Sequence, residues 1–176
     1  MCKFKRLVFD SGTISSSTLR YIPLIEKCWH KYSKFIQDDF SLLTDKNSLL
    51  KFICNPFFWV ILDYEENFMG FVFLDNFVGN QNKLFSAEIT TCFDKKAWGI
   101  FPRYSAKFFL KMCFDYYGLY KIKAQIYPDN FRVRKFLNDC GFVYESTLKN
   151  ETQRNGKSQD IDVYALYRSY YYKDSR

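Results

Sequence analysis

Ala87-Glu88-Ile89-Thr90-Thr91-Cys92-Phe93, then Asp94-Lys95-Lys96-Ala97-Trp98-Gly99, then a run with helical periodicity from about Arg103 to Tyr117, decide how this chain is built. The first piece reads as a strand, the second as a turn and the third as a helix. A second strand, Lys121-Ile122-Lys123-Ala124-Gln125-Ile126-Tyr127, follows. Pro128-Asp129-Asn130 and a short helix then lead into Asn138-Asp139-Cys140-Gly141-Phe142. A strand, a crossover helix and a second strand at this spacing make a βαβ unit whose strands lie parallel. At its mouth the first helix offers unpaired N–H groups and the positive end of its dipole, which suits a phosphate or pyrophosphate.

Upstream, Lys5 to Phe9 reads as a short strand ended by Asp10-Ser11-Gly12. The cluster Ser15 to Thr18 supplies N-caps for a helix in which Ile22, Ile25, Cys28, Trp29, Tyr32, Phe35 and Ile36 keep helical spacing. Pro23 falls in or near the first turn, where a missing N–H costs little. A second helix is expected from Thr44 to Cys54, stopped by Asn55-Pro56. Phe57 to Leu62 and Phe68 to Phe73 form an antiparallel hairpin about Tyr64 to Asn67, and Asp75 to Lys83 is expected to be a loop.

Downstream, Phe142 to Asn150 is a strand and Glu151 to Lys157 a turn. Asp160 to Tyr167 alternates apolar and polar as a half-buried strand, and the tail from 169 to 176 is expected to fray. The order β-α-α-β-β-β-α-β-α-β-β predicts an α/β fold. Its sheet is mixed and mostly antiparallel, with one parallel βαβ crossover and flanking helices, in a single domain over 1–176.

The charge is +7, but the cations are scattered. The densest run, Arg132-Val133-Arg134-Lys135, covers one helical turn and reads first as a solvated face, with a nucleic-acid patch as the alternative. Cysteines at 2, 28, 54, 92, 113 and 140 form no C-x-x-C pair, and His30 is the only histidine, so no metal site is expected. Cys28, Cys54, Cys92 and Cys113 read as core residues of a protein in a reducing compartment. No signal peptide and no bilayer-spanning run is visible, so the expectation is a cytoplasmic protein without membrane contact.

These residues, in this order, resemble the GNAT superfamily of acyl-coenzyme A-dependent N-acyltransferases. Within it the chain looks most like the enzymes that acetylate N-termini of ribosomal proteins. The resemblance rests on Glu88 in its strand, the Trp98-Gly99 turn, Gly118-Leu119 at the helix end and Asn130 opening the next helix. Gly141-Phe142-Val143-Tyr144-Glu145 and Asp160 ahead of an alternating apolar run complete it. Two features depart from the family pattern. Phe101 stands where the pyrophosphate loop carries its second glycine, and Pro102 removes an N–H donor beside it. The tyrosine that many members place on the helix after Asn130 is here Leu137.

The resemblance implies acetyl-CoA as cofactor and an amine as acceptor, either a protein N-terminus or a small amine, acetylated by direct transfer. It implies Glu88 as general base. Lys96, Gly99 and Arg103 would lie at the pyrophosphate, and Asn130 at the pantetheine arm. Thr90 and Thr91 would stand beside that arm, where the strand splays from its parallel neighbour. Residue chemistry leaves Glu88 equally readable as an outward-facing strand glutamate, and Asn130 as a helix N-cap. The alternative function is a catalytically silent GNAT-like binding or assembly protein, of the kind that viral genomes hold, working in a host cytoplasm or virion with a protein partner or a second copy of itself. Phe101 and Pro102 favour that alternative.

Overall fold

The computed structural model describes residues 2–7, 16–41, 45–80 and 82–173. Strands β1 (Lys3–Arg6), β2 (Phe58–Leu62), β3 (Phe68–Asn80), β4 (Lys83–Phe93), β5 (Lys121–Ile126), β6 (Val143–Arg154) and β7 (Lys157–Tyr167) form one sheet. Its order is β1-β2-β3-β4-β5-β7-β6. The β4–β5 pair is parallel, and the ladders β1–β2, β2–β3, β5–β7 and β6–β7 are antiparallel. Strands β3 and β4 are neighbours joined by two residues, a connection that only an antiparallel pair allows. The mixed sheet with a single parallel step is therefore present, reached through helix α4 (Phe101–Asp115). The other helices are α1 (Ser16–Leu19), α2 (Ile22–Ile36), α3 (Lys46–Ile53), α5 (Phe131–Asp139) and α6 (Arg168–Lys173).

The chain divides into two compact units, Met1–Phe73 with Thr91–Pro102, and Leu74–Thr90 with Arg103–Arg176. The first unit buries Ile25, Cys28 and Trp29 of α2 and Leu49 and Ile53 of α3. These pack with the inward residues Phe58, Val60, Phe71, Phe73 and Cys92 of the strands. Its centre is aromatic: Trp29 stacks on Phe71 at 5.5 Å, and Phe52 meets Phe73 edge-on at 4.7 Å. In the second unit α4 buries Ser105, Phe109 and Cys113, with Leu110 and Phe114, at the four-residue spacing of one helix stripe. Ile122, Ala124 and Ile126 of β5 are buried, while Lys121, Lys123 and Gln125 take the other face.

Several boundaries differ from the sequence reading for local reasons. The first strand is Lys3–Arg6, and residues 8–15, with the expected stop at Asp10-Ser11-Gly12, lie outside the described residues. The long helix begins at Ile22 with Tyr21 as its cap and no side-chain capping bond, so the serine cluster does not cap it. Pro23 does sit in the first turn. Helix α3 starts behind Asp45, whose carboxylate accepts from Asn47 and Ser48 N–H. The expected loop from Asp75 to Lys83 is mostly strand. β3 runs on to Asn80, whose side chain closes the hairpin by accepting from Asn82 and Lys83 N–H at 2.9 and 3.0 Å.

The second hairpin is also longer than expected. Asn155 and Gly156 alone make its turn, both at positive φ (54° and 70°), as a two-residue turn requires. β7 is buried from Ile161 to Leu166 rather than half-buried, and β5 and β6 pair with it on its two edges. Where a frayed tail was expected, Arg168–Lys173 is helical, and the Tyr171 hydroxyl donates to Lys107 O at 2.9 Å.

Candidate functional site

In the second unit the parallel ladder is short. Ser86 pairs with Lys121, Ala87 with Ile122 and Glu88 with Lys123, and there the register ends although both strands continue. Among the described residues, none pairs with β4 on its β5 side from Ile89 onward. Thr90 lies on that stretch, partly buried. Glu88 stands at the last closed rung. Its Oε2 accepts from Gln125 Nε2 at 3.0 Å and from Asn76 Nδ2 at 3.2 Å, which leaves Oε1 free. A carboxylate held by two amides on one oxygen keeps its orientation and its second oxygen for a substrate.

Asp75 precedes Asn76 on β3. Burial first, and the negative charge of Glu88 second, push its carboxyl up to about 6, against a smaller opposing pull from Lys123. Its Oδ1 is buried and has no hydrogen-bond partner. Asp75, Asn76, Lys123 and Gln125 were missed by sequence reasoning. The window containing Asp75 and Asn76 read as a loop, and only its alternating aromatic residues Phe71, Phe73 and Phe77 hinted at a continuing strand.

Asn130 caps α5: its Oδ1 accepts from Val133 N–H at 3.4 Å. An amide retains its NH₂ group when the oxygen caps, so the cap and a ligand contact are compatible. The helix is anchored by a half-buried ion pair. Arg134 donates to Asp162 at 3.1 Å and to Pro128 O at 2.7 Å, and Thr147 Oγ1 donates to the other Asp162 oxygen at 2.6 Å. Arg103, on the first full turn of α4, is held by Asp139 of α5 at 2.5 Å, so part of its charge is already answered. Lys135 reaches the same Asp139 at 3.8 Å. With Arg134 also paired, the Arg132–Lys135 run is not a block of open cations. Asp160 faces Lys149 at 2.8 Å and Asn150 N–H at 2.9 Å, which hold its carboxyl below the usual range.

Thr91, Lys96 and Gly99 belong to the first unit. After β4, Asp94 caps a 3-10 turn (Lys95–Ala97) by accepting from Lys96 N–H, and its own N–H donates to Met69 O at 2.9 Å. Ala97 is buried and pins the turn, while Lys95 and Lys96 are exposed. Gly99 has φ +117°, and a Cβ there would meet nothing within 4 Å. Its glycine is thus demanded by the backbone and not by neighbouring protein, and it leaves open space beside the loop. Ile100 is 83% exposed and α4 starts at Phe101, which places Pro102 in the first turn. Pro102 removes one of the four otherwise unpaired N–H groups at that helix end. Trp98 is 45% exposed, with the Tyr32 ring 6.3 Å away.

None of Cys2, Cys54, Cys92, Cys113 and Cys140 is an activated thiol, since burial raises all five, Cys92 mainly through its contact with Cys28. His30 is exposed on α2. Among the described residues no group of three or more His, Cys, Asp or Glu is placed to hold a metal, and no helix is long and apolar enough to cross a membrane.

A family model described as an acetyltransferase (GNAT) domain matches residues 18–143, well over half of the chain. The chain belongs to the GNAT family. No curated protein matches the sequence significantly. Among solved structures, the spermidine N-acetyltransferase of Vibrio cholerae in complex with CoA and spermine is similar at a TM-score of 0.73. It is 21% identical, over 97% of this chain and 98% of that one. The spermidine/spermine N-acetyltransferase of the same organism in complex with manganese ions gives a TM-score of 0.69 at 21% identity, over 100% and 96%. At such identities the likeness is one of fold, a mixed and mostly antiparallel sheet with one short parallel pair. The sequence pointed to the ribosomal-protein branch, whereas these neighbours are polyamine enzymes.

Proposed function

We propose that the protein transfers the acetyl group of acetyl-CoA to a primary amine of a small, positively charged acceptor, a polyamine before a protein N-terminus. We read both units as one catalytic domain, because a single family model runs through residues of each. The observation that carries the reading is Glu88 at the rung where β4 and β5 part, its carboxylate oriented by Asn76 and Gln125. A general base must stand within reach of the proton it removes, and an opened strand edge is where an extended ligand adds its own backbone-like pairing.

The residues fit the cofactor. Gly99 lets the loop backbone approach a pyrophosphate, Lys96 adds exposed charge, and Arg103 contributes what Asp139 leaves of its own. Thr90 and Thr91 stand along the strand beyond the last rung, and Asn130 keeps its amide NH₂ for the pantetheine arm. When bound, acetyl-CoA supplies a thioester open to attack by an amine. Glu88 takes the proton from the acceptor nitrogen, and neighbouring Asp75 makes the locality attractive to cations. The absence of an activated thiol among the five shifted cysteines favours direct transfer over an acyl-enzyme, and six free cysteines suit a cytoplasmic setting.

Calorimetry with acetyl-CoA, followed by acetylation assays on spermidine and on a peptide N-terminus, tests this. Micromolar binding, turnover of spermidine and loss of at least about 100-fold in kcat for Glu88→Gln are expected. A second reading is a GNAT-derived binding module without catalysis, favoured by Pro102 in the first turn of α4 and by the Arg103–Asp139 pair. It predicts no heat at millimolar acetyl-CoA, and that result would remove the enzyme reading.

A further inference from the structure

We propose that Asp75 is a positioning residue for the acyl transfer, acting through Glu88 as the store for the proton that Glu88 lifts from the acceptor nitrogen. The inference rests on the acetyltransferase reading above and concerns which groups complete its chemistry.

Three features of β3 carry it. A Cβ on Gly79 would lie 2.9 Å from Leu84 Cα, so these two residues are abreast. A Cβ on Gly70 would likewise lie 2.9 Å from Phe93 Cα, and this same offset on either side of Asn76 brings Asp75 level with Glu88. Glu88 is itself level with Lys123 across the parallel rung, so the three charged side chains form one row across β3, β4 and β5. Next, Asn76 has φ +46°, a left-handed conformation that breaks the strand's alternation. Successive strand residues normally face opposite ways, yet Asn76 bonds Glu88 while Asp75 feels its charge. The kink lets Asn76 reach the carboxylate whose charge Asp75 feels. Finally, Asp75 Oδ1 is buried without a partner. Such an oxygen is costly while ionised, and a proton lowers that cost by giving the group an O–H to offer the neighbouring carboxylate. The charged groups facing Asp75 are Glu88 from β4 and Lys123 from β5, and their balance with burial leaves it half-protonated at about pH 6.

The step balances. An acceptor arriving as R–NH₃⁺ gives one proton to the Glu88–Asp75 pair, where it rests on Asp75. The nitrogen lone pair forms the C–N bond, and the C–S bond breaks with its electrons on sulfur. The second N–H proton goes to the departing thiolate, giving the amide and CoA thiol, and Asp75 then returns its proton to solvent.

The test uses the full chain with acetyl-CoA and spermidine as probes, and kcat and KM measured across pH for the wild type, Asp75→Asn and Asp75→Glu. The expected result is an acid limb near pH 6 in the wild type. Asp75→Asn should lose roughly 30-fold in kcat, with KM for acetyl-CoA within about twofold and the limb displaced. Asp75→Glu should recover part of the loss. Full activity with an unmoved limb in Asp75→Asn overturns the proposal. A second measurement separates this failure from failure of the acetyltransferase reading. The carboxyl ¹³C signal of Asp75 should titrate near pH 6, and lower in Glu88→Gln. Titration in the ordinary aspartate range overturns Asp75's role whatever the chain acetylates, while a wild type that acetylates no amine overturns the reading itself.

Discussion

Asp75 and Gly99 show what single residues contribute here that their neighbours in sequence do not reveal. Asp75 is held above its ordinary value of 3.8, so the folded chain keeps this proton better than the unfolded chain does. The associated stability is present below about pH 4 and is lost as pH rises through about 6. Asp75→Asn, which never ionises, should therefore melt higher than the wild type at pH 7, with the gap closing below about pH 4 in thermal scans across that range. Gly99 behaves in the opposite way. Gly99→Ala clashes with nothing and strains only the backbone, by more than about 1 kcal/mol, yet its methyl enters the space assigned to pyrophosphate. Calorimetry should find acetyl-CoA affinity lowered by more than about tenfold while melting moves by only a few degrees. Of the residues involved, Glu88, Gly99 and Asn130 were singled out in the sequence, by motif order. Asp75 was not, because a lone carboxylate acquires meaning only from burial and from a partner on another strand.

At the level of strands and helices, the sequence was most informative where one face is wet and least where both are covered or a turn is tight. Helix α4 and strand β5 declare themselves through clean periodicity. The far half of β3 was hidden by Gly79 and Asn80, which read as a loop and prove to be the end of a long hairpin. β7 was misjudged because Asp162 sits among apolar residues as if on a polar face, while in the fold it is buried against α5. That pair positions the helix that Asn130 opens. Asp162→Ala leaves Arg134 without its carboxylate and Thr147 without its acceptor. The Arg134 side chain is one-third exposed, which moderates the loss to about 2 kcal/mol. Thermal unfolding should show a drop of about 4–8 °C. Acetyl-CoA affinity should fall with it, because the cap shifts along with the helix.

For the whole chain, the mixed sheet and its single parallel step were predictable from element order, whereas the order of strands within the sheet and the division into two compact units were not. Each unit gathers segments distant in sequence, which no local pattern records. The cysteines give a global probe of that packing. All six are free, with Cys28, Cys92 and Cys113 buried and Cys2, Cys54 and Cys140 partly exposed. A thiol reagent at pH 8 should modify three sites in the native protein, Cys140 slowly because its thiol is pushed up to about 11, and all six in denaturant. Faster reaction of the buried three would mean that the aromatic core opens. Finally, Gly70 and Gly79 each lie so close to β4 that a methyl would fall 2.3 or 2.4 Å from a carbonyl oxygen, of Cys92 and of Lys83. The two bare positions work like the wards of a lock. A chain that zips up one step out of line brings a side chain against backbone at both ends at once, so this hairpin shuts correctly or stays open.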